Sequence, residues 1–177
     1  MDPTIFDNLK VVLEGSIYDI DRDGIIVVVD RADLVDLARM QRYFRMGYVL
    51  TEARDTITCE VEINSQVRDF AAELQAMRLV DEKPGVRVSL CFRVENWKHD
   101  DTKMDVIHEK MKQLWEDTII DHSLEKSMDL ESGTEENRYI CTLMFRNKID
   151  ESNVEEIPRL LEHTVKTMEW LLTLLHT

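Results

Sequence analysis

The sequence has few of the residues that bend or cross-link a polypeptide. Its 177 residues include five glycines and three prolines, which argues against a turn-rich β-sandwich or a low-complexity chain. The three cysteines, Cys59, Cys91 and Cys141, are odd in number, lie far apart and form no CxxC pair. This pattern indicates reduced thiols and not a disulfide framework, so we expect a cytoplasmic protein.

Long apolar runs and an excess of basic residues are also missing. No run approaches the roughly 18 apolar residues that a membrane helix requires. The opening residues, MDPTIFDNLK, lack a basic segment followed by an apolar one, so no secretory signal is expected. Acidic residues outnumber basic ones by 36 to 22, a net charge of −14. Because nucleic acids and anionic lipids attract lysine and arginine, we expect neither nucleic acid nor a membrane as a partner.

Motifs of known chemistry are missing as well. The sequence contains no GxGxxG, no Walker phosphate loop and no GxSxG nucleophile motif. The five histidines show none of the helical spacings that hold a metal ion. Carboxylate pairs are abundant, but in so acidic a chain they say nothing about acid–base catalysis. No catalytic residue and no cofactor are therefore predicted.

What the sequence does contain is the composition of a globular protein. Apolar residues make up 44% of the chain and charged residues 33%, and the length suffices for one domain with its own core. Segments with strand and helix periodicity both occur. We predict a single α+β domain over residues 1–177, with a mainly antiparallel sheet of about five to six strands, helices packed on one face, and long C-terminal helices.

Apolar spacing and turn residues define the predicted elements of the first half. Asp2 and Pro3 are a typical helix start, and Gly15 is a typical helix end. The Asp-Arg-Asp-Gly sequence at 21–24 is typical of a hairpin turn. The predicted order is a helix over 2–15, with a strand over 9–13 as the alternative, a hairpin over 17–29, a helix over 33–47, a hairpin over 48–63 and a helix from Ser65.

The second half combines alternating segments with amphipathic ones. The predicted order is a strand over 86–94, a helix from Thr102 that extends to 128, a loop over 129–137, a strand over 139–145 and a C-terminal helix. The C-terminal helix begins either at Ser152, with a kink at Pro158, or at Pro158 itself. Both helices carry the pattern HxxxxxxW after a strand, which suggests a weak strand–helix repeat over 86–128 and 138–176.

One acidic segment resembles a calcium-binding loop. Asp19, Asp21 and Asp23 alternate before Gly24, and Asp30 stands at the twelfth position. Alternating oxygen ligands around a glycine turn suit a hard cation. The twelfth residue is aspartate, however, and not the longer glutamate, and the apolar run over 25–29 favours a strand where such a loop continues into a helix. An acidic hairpin turn is the favoured interpretation, with these four aspartates kept as a weak metal-binding candidate.

Two further segments indicate contacts with partners. The C-terminal run over 168–175 is more continuously apolar than one buried stripe requires. We therefore predict an interface at Trp170, Leu171, Leu174 and Leu175, with burial on two sides within the monomer as the alternative. Residues 116–136 hold eight acids and one lysine, a net charge of −7 at a helix end and loop where a basic partner could dock.

These observations favour a non-catalytic protein-interaction module, of the adaptor, regulator or chaperone-like kind, that forms a homodimer. The expected partner is another protein or a second copy of the chain. The alternative is a small-ligand-binding protein or an enzyme whose site assembles from residues dispersed along the sequence.

Overall fold

The computed structural model describes residues 4–69, 71 and 84–177 and contains one six-stranded sheet with helices. The strand order is β1-β2-β3-β4-β6-β5, and every pair of neighbours is antiparallel. This confirms the predicted α+β class. The elements are α1 (Ile5–Arg22), β1 (Ile26–Asp36), β2 (Gln41–Leu50), β3 (Ile57–Gln66), β4 (Arg87–Val94), α2 (Asp101–Leu114), β5 (Thr118–Met128), β6 (Glu135–Phe145), a short 3-10 helix (Glu151–Glu156) and α3 (Ile157–Leu175).

Strict alternation of apolar and polar residues makes β3 and β4 the centre of the sheet. Every second side chain of each strand, from Ile57 to Ile63 and from Val88 to Val94, is buried. A period of two places these side chains on one face of the sheet, so both predicted strands are confirmed. Helices α1, α2 and α3 pack on this face, which we call the helix face, and the opposite face we call the open face.

Contacts between the helices and the sheet close the core. Leu9, Leu13 and Ile17 of α1 are fully buried. On α3, the hydroxyl of Thr164 lies 2.5 Å from the phenol oxygen of Tyr48 on β2. Burial raises the pKa of Tyr48 well above its usual value, so this group stays neutral and serves as a hydrogen-bonding strut inside the core.

The predicted end of the first helix at Gly15 is wrong. Helix α1 begins after Thr4, whose hydroxyl accepts a hydrogen bond from the Asp7 N–H at 3.2 Å, and it runs through Gly15 to Arg22. Ile17 extends the buried stripe of the helix, and this burial outweighs the cost of about 1 kcal/mol for a helical glycine. The first strand of the predicted 17–29 hairpin is therefore helical. Asp2 and Pro3 lie outside the described residues.

The predicted helix over 33–47 is also wrong, because this segment forms the β1–β2 hairpin. The two strands pair from Ile26 with Leu50 to Asp36 with Gln41, with one shift of register between Val28 and Asp30. Phe44 and Met46 alternate onto the helix face and are completely buried. Apolar residues in this segment fit either period, and cross-strand pairing with β3 decided the outcome. The predicted hairpin over 48–63 is confirmed as the end of β2, a turn and β3.

In the second half, the predicted helix over 102–128 is too long. Helix α2 is capped by Asp100 instead of Thr102 and ends at Leu114. After Asp117, which has a φ of 55°, the chain becomes β5 and pairs with β6 over its whole length. Because β6 begins at Glu135, most of the predicted loop over 129–137 is a hairpin turn and part of a strand. Residues 118–128 form a strand, so they do not continue the helix that was predicted for the first repeat unit.

The C-terminal helix follows the second of its two predicted starts closely. Asp150 caps the short 3-10 helix, and α3 begins at Ile157 with Pro158 in its first turn, where a missing N–H costs little. The His163 ring of α3 meets the Trp115 ring edge-on, with centroids 4.3 Å apart, and its Nε2 donates to the Leu114 carbonyl at 2.8 Å. Ser65 belongs to β3, residues 67–69 and 71 are helical, and the rest of the helix predicted from Ser65 lies outside the described residues.

Candidate interaction surface

Strand β1 forms one edge of the sheet and pairs only with β2 among the described strands. It is 11 residues long, so a row of backbone N–H and C=O groups points away from the sheet along this edge. Natural sheets usually protect their edges with short strands, charged side chains or a covering element, and β1 is neither short nor covered by another described strand. An uncovered edge can accept a further strand, and β1 therefore has the backbone chemistry of a docking site.

Exposed apolar side chains concentrate along this edge. Fifteen large apolar residues are exposed in the described part of the chain, and eight of them lie on α1, on β1 or in the turns at the ends of β1. They include Leu37, at 78% exposure, and Val35, at 62%. Exposed apolar side chains that cluster in this way mark interfaces. We call the eight residues the β1 border: Val11, Tyr18, Ile25, Val29, Leu34, Val35, Leu37 and Met40.

Ion pairs hold α1 against this edge and balance its charge. Arg31 donates to Glu14 of α1 at 2.5 Å, and Lys10 of α1 pairs with Asp33. The hydrogen bond to Glu14 raises the pKa of Arg31, so this side chain remains a cation beside Tyr18. Residues 4–50 carry eight acids and six bases, a net charge of −2. The chain's strong acidity is thus absent from the β1 border.

The residues predicted as an interface at the C-terminus lie at the end of α3. Leu171 is buried in the core, and Trp170, Leu174 and Leu175 are partly buried and pack against it. Their side chains thus contribute to the core of the chain itself. An interface at this helix stays a prediction, and among the residues that the structure describes the largest concentration of exposed apolar side chains is at the β1 border.

The four aspartates of the weak metal candidate do not converge. Asp19 pairs with Arg22 at 3.0 Å, the Asp21 carboxylate accepts from the Val28 N–H at 3.2 Å, and Asp30 pairs with Arg45 at 3.2 Å. The predicted acidic hairpin turn is instead the end of α1, where Gly24 has a φ of 77°. Within residues 4–69, 71 and 84–177, no three histidine, cysteine, aspartate or glutamate side chains are placed to hold a metal ion.

A chain of titratable side chains lies between α2 and the β5–β6 edge. Nδ1 of His108 is 2.8 Å from Nε2 of His122, whose Nδ1 is 2.7 Å from the Tyr139 hydroxyl. Burial, with a smaller effect of His108, lowers the pKa of His122, and burial raises the pKa of Tyr139. These residues are up to 31 positions apart, and no motif relates them, so only the fold brings them together. Burial also raises the pKa of Cys141 to about 12, which makes it a poor nucleophile.

The acidic segment over 116–136 forms the β5–β6 hairpin and not a helix end and loop. Strand β4 pairs with β6 only as far as Tyr139, so the hairpin tip extends beyond the neighbouring strand. Arg138 pairs with Glu95 at 2.7 Å and with Glu125 at 3.3 Å. Docking of a basic partner at this tip stays a prediction.

No helix in the described residues combines the length and apolar character needed to cross a membrane. Comparison of the chain with protein-family models, with curated proteins and with solved structures finds no match.

Proposed function

We propose that this chain is a non-catalytic, cytoplasmic protein-interaction module that pairs with a second copy of itself through strand β1. The observation that carries the proposal is the unpaired edge of β1, together with the eight of fifteen exposed large apolar side chains that lie on α1, on β1 or in the turns at the ends of β1. Main-chain hydrogen bonds across two such edges provide affinity, and the flanking side chains provide specificity.

The charges of β1 select one register for self-pairing. When two copies of β1 pair antiparallel about a twofold axis, residues that face each other have side chains on the same face of the sheet. Their sequence numbers therefore differ by an even number, and at the axis one residue faces its own copy. An axis at Ala32 places Arg31 of each copy opposite Asp33 of the other, which gives two favourable pairs. An axis at Arg31 would place Arg31 opposite its own copy, and an axis at Asp33 would place Asp33 opposite its own copy. The axis at Asp33 would also place Asp30 opposite Asp36.

This arrangement joins two six-stranded sheets and keeps both helix layers on the same side. Val11 and Tyr18 of α1 follow Asp7 and Glu14 at helical spacing, and those two acids reach Arg42 and Arg31 of the hairpin. The apolar flank of α1 therefore approaches its counterpart across the axis. The excess negative charge of each copy lies mainly outside residues 4–50, and separations beyond about 8 Å are screened at physiological salt.

The test is the mass of the full chain in solution, measured by sedimentation equilibrium at micromolar concentration. We expect a dimer, and we expect Val35→Lys to weaken it at least about tenfold, because a lysine would lose water at the interface without a partner. Val106→Lys on α2 is the matched control, since Val106 is also exposed and α2 contacts β5, which is at the opposite edge of the sheet from β1. A monomeric wild type, or equal effects of the two variants, would show the proposal to be wrong.

Charge reversal tests the register itself. Arg31→Asp alone and Asp33→Arg alone each create like-charge pairs across the axis, so each should weaken the dimer. The double variant restores two opposite pairs and should recover dimerisation. The double variant also turns the intramolecular ion pairs of Arg31 with Glu14 and of Asp33 with Lys10 into like-charge contacts, and at exposed positions such contacts change stability by only about 0–1 kcal/mol each. Failure of the double variant to recover, with folding intact by circular dichroism, would exclude this register.

A further inference from the structure

The sheet is interrupted between β4 and β6. The two strands pair as far as Ser89 with Met144, and the next contact is an isolated bridge between Val86 and Ile149. In that bridge the N–H of each residue donates to the carbonyl of the other at 2.9 Å. Two residues of one strand, 87–88, therefore face four of the other, 145–148. The unequal lengths open a gap that is closed at both ends by paired backbone.

A cavity lies on each face of the sheet at this gap. On the helix face, a cavity of about 140 Å³ is bounded mainly by apolar side chains, among them Ile149 and Leu160. On the open face, a groove of about 430 Å³ is bounded by charged and apolar residues. Val88 and Phe145 belong to the walls of both. The gap thus places a groove with charged and apolar walls beside an apolar cavity.

Two arginines line the groove without an ion pair to any described residue. Arg87 and Arg146 are exposed, and neither forms an ion pair within residues 4–69, 71 and 84–177. In a chain with a net charge of −14, a groove that holds two arginines without ion pairs and one carboxylate is locally positive. Guanidinium groups form paired hydrogen bonds with carboxylates, so the groove has the chemistry to hold an organic acid.

Glu62 is the acid in the same groove. It is half-buried, and cross-strand pairing places it beside Ser89 and Arg45. Burial raises the pKa of this carboxyl, and the nearby charge of Arg45 only partly opposes the effect. A bound anion would feel repulsion from Glu62 and attraction from the two arginines. These opposite effects predict opposite outcomes for substitutions at Glu62 and at the arginines.

We propose that the gap between β4 and β6 binds a small amphipathic carboxylate. The carboxylate pairs with Arg87 and Arg146 on the open face, and the apolar tail lies against Val88 and Phe145 toward the apolar cavity. Both parts of the site are needed for selectivity. The two arginines select ligands with a carboxylate, and the apolar walls select ligands with an apolar tail. The site is independent of the β1 border, which lies at the edge of the sheet beyond β2 and β3.

The test uses isothermal titration calorimetry of the full chain with sodium octanoate as the probe. We expect saturable binding with one site per chain. Arg87→Gln and Arg146→Gln should each weaken it about tenfold, the size typical for loss of one charge-assisted contact of about 1.4 kcal/mol. Arg54→Gln is the matched control, because Arg54 is exposed in the turn between β2 and β3, at the far end of β3. Both arginines of the groove are at the surface, so these variants should fold.

Two comparisons separate this site from simple partition into apolar surface. Glu62→Gln should tighten octanoate binding several-fold, an effect that hydrophobic partition does not produce. Octanol lacks the carboxylate and acetate lacks the tail, so each should bind at least about tenfold more weakly than octanoate. The proposal is overturned if octanoate does not bind, if octanol or acetate binds equally well, or if Arg54→Gln weakens binding as much as the groove variants.

Discussion

Three glycine-to-alanine substitutions in one chain should change stability in three different ways, because each glycine meets a different environment. Gly15 lies inside α1, and no heavy atom is within 4 Å of an added Cβ. Alanine at this position should stabilise the protein by about 0.5–1 kcal/mol, since it restricts the unfolded chain and favours the helix. Gly24 also has open space, but its φ of 77° penalises any side chain by about 1–2 kcal/mol.

Gly85 is the position at which space decides the outcome. An added Cβ would lie 2.7 Å from the carbonyl oxygen of Ile149 and 3.1 Å from Cβ of Lys148. That carbonyl accepts the hydrogen bond from the Val86 N–H at 2.9 Å, so it can retreat only by breaking the bridge. Overpacking costs about 1–3 kcal/mol, and a lost hydrogen bond adds about 0.5–1.5 kcal/mol. We expect Gly85→Ala to destabilise the protein by about 2–4 kcal/mol.

Thermal and urea unfolding followed by circular dichroism measures all three effects. For a chain of this size, 1 kcal/mol corresponds to roughly 2–4 °C in melting temperature. Gly15→Ala should therefore raise the midpoint by a few degrees, and Gly85→Ala should lower it by about 4–16 °C. A destabilising Gly15→Ala would mean that the helix ends at Gly15, as the sequence alone suggested. A neutral Gly85→Ala would refute the close approach to Ile149.

Burial lowers the pKa of His122 in the folded protein, whereas the pKa in the unfolded chain is about 6.5. At pH values between these two pKa values, the unfolded chain binds a proton at His122 more readily than the folded protein does. The free energy of unfolding should therefore be unaffected by His122 above about pH 6.5 and should decrease as the pH falls below that value. His122→Gln should reduce this pH dependence in urea titrations, and an unchanged dependence would contradict the assignment. Leu171→Ala should destabilise by about 2–5 kcal/mol and the partly buried Leu175→Ala by clearly less, and equal losses of unfolding free energy would contradict their different burial. Because burial raises the pKa of Cys91 and, to about 12, that of Cys141, iodoacetamide should alkylate both far more slowly in the native protein than in urea. Within the native protein Cys91 should react first because it is only half-buried, and equal native and denatured rates would argue against burial of either thiol.

Much of the fold could be predicted where one periodicity was available and neighbours agreed with it. The alternation from Val86 to Val94 and from Ile57 to Ile63 survives unchanged in the structure. Half-buried strands can be recognised from this alternation because successive side chains point to opposite faces of the sheet, one toward the core and the next toward solvent. The buried face of α3 was equally visible, since Leu161, Val165 and Met168 repeat at helical spacing.

Other segments could not be assigned locally because two periods fitted the same residues. Phe44 fits the helical spacing of apolar residues in the segment that follows Asp33. It also fits the spacing of two residues that a strand requires, because it lies two positions before Met46. Residues 118–128 look like the continuation of an amphipathic helix until β6 is available as a pairing partner. Such ambiguities are resolved by hydrogen bonds to strands distant in sequence, which no window of the sequence contains.

The sequence by itself determined the α+β class, the excess of acid and the lack of any catalytic motif, because these depend on composition and local order. The candidate sites depended on the tertiary structure. The β1 border exists because ion pairs of Lys10 and Glu14 hold α1 beside an edge strand, and the gap exists because two chain segments of unequal length meet between β4 and β6. Both features are relations between residues far apart in the chain, and such relations arise only when long-range pairing fixes the register.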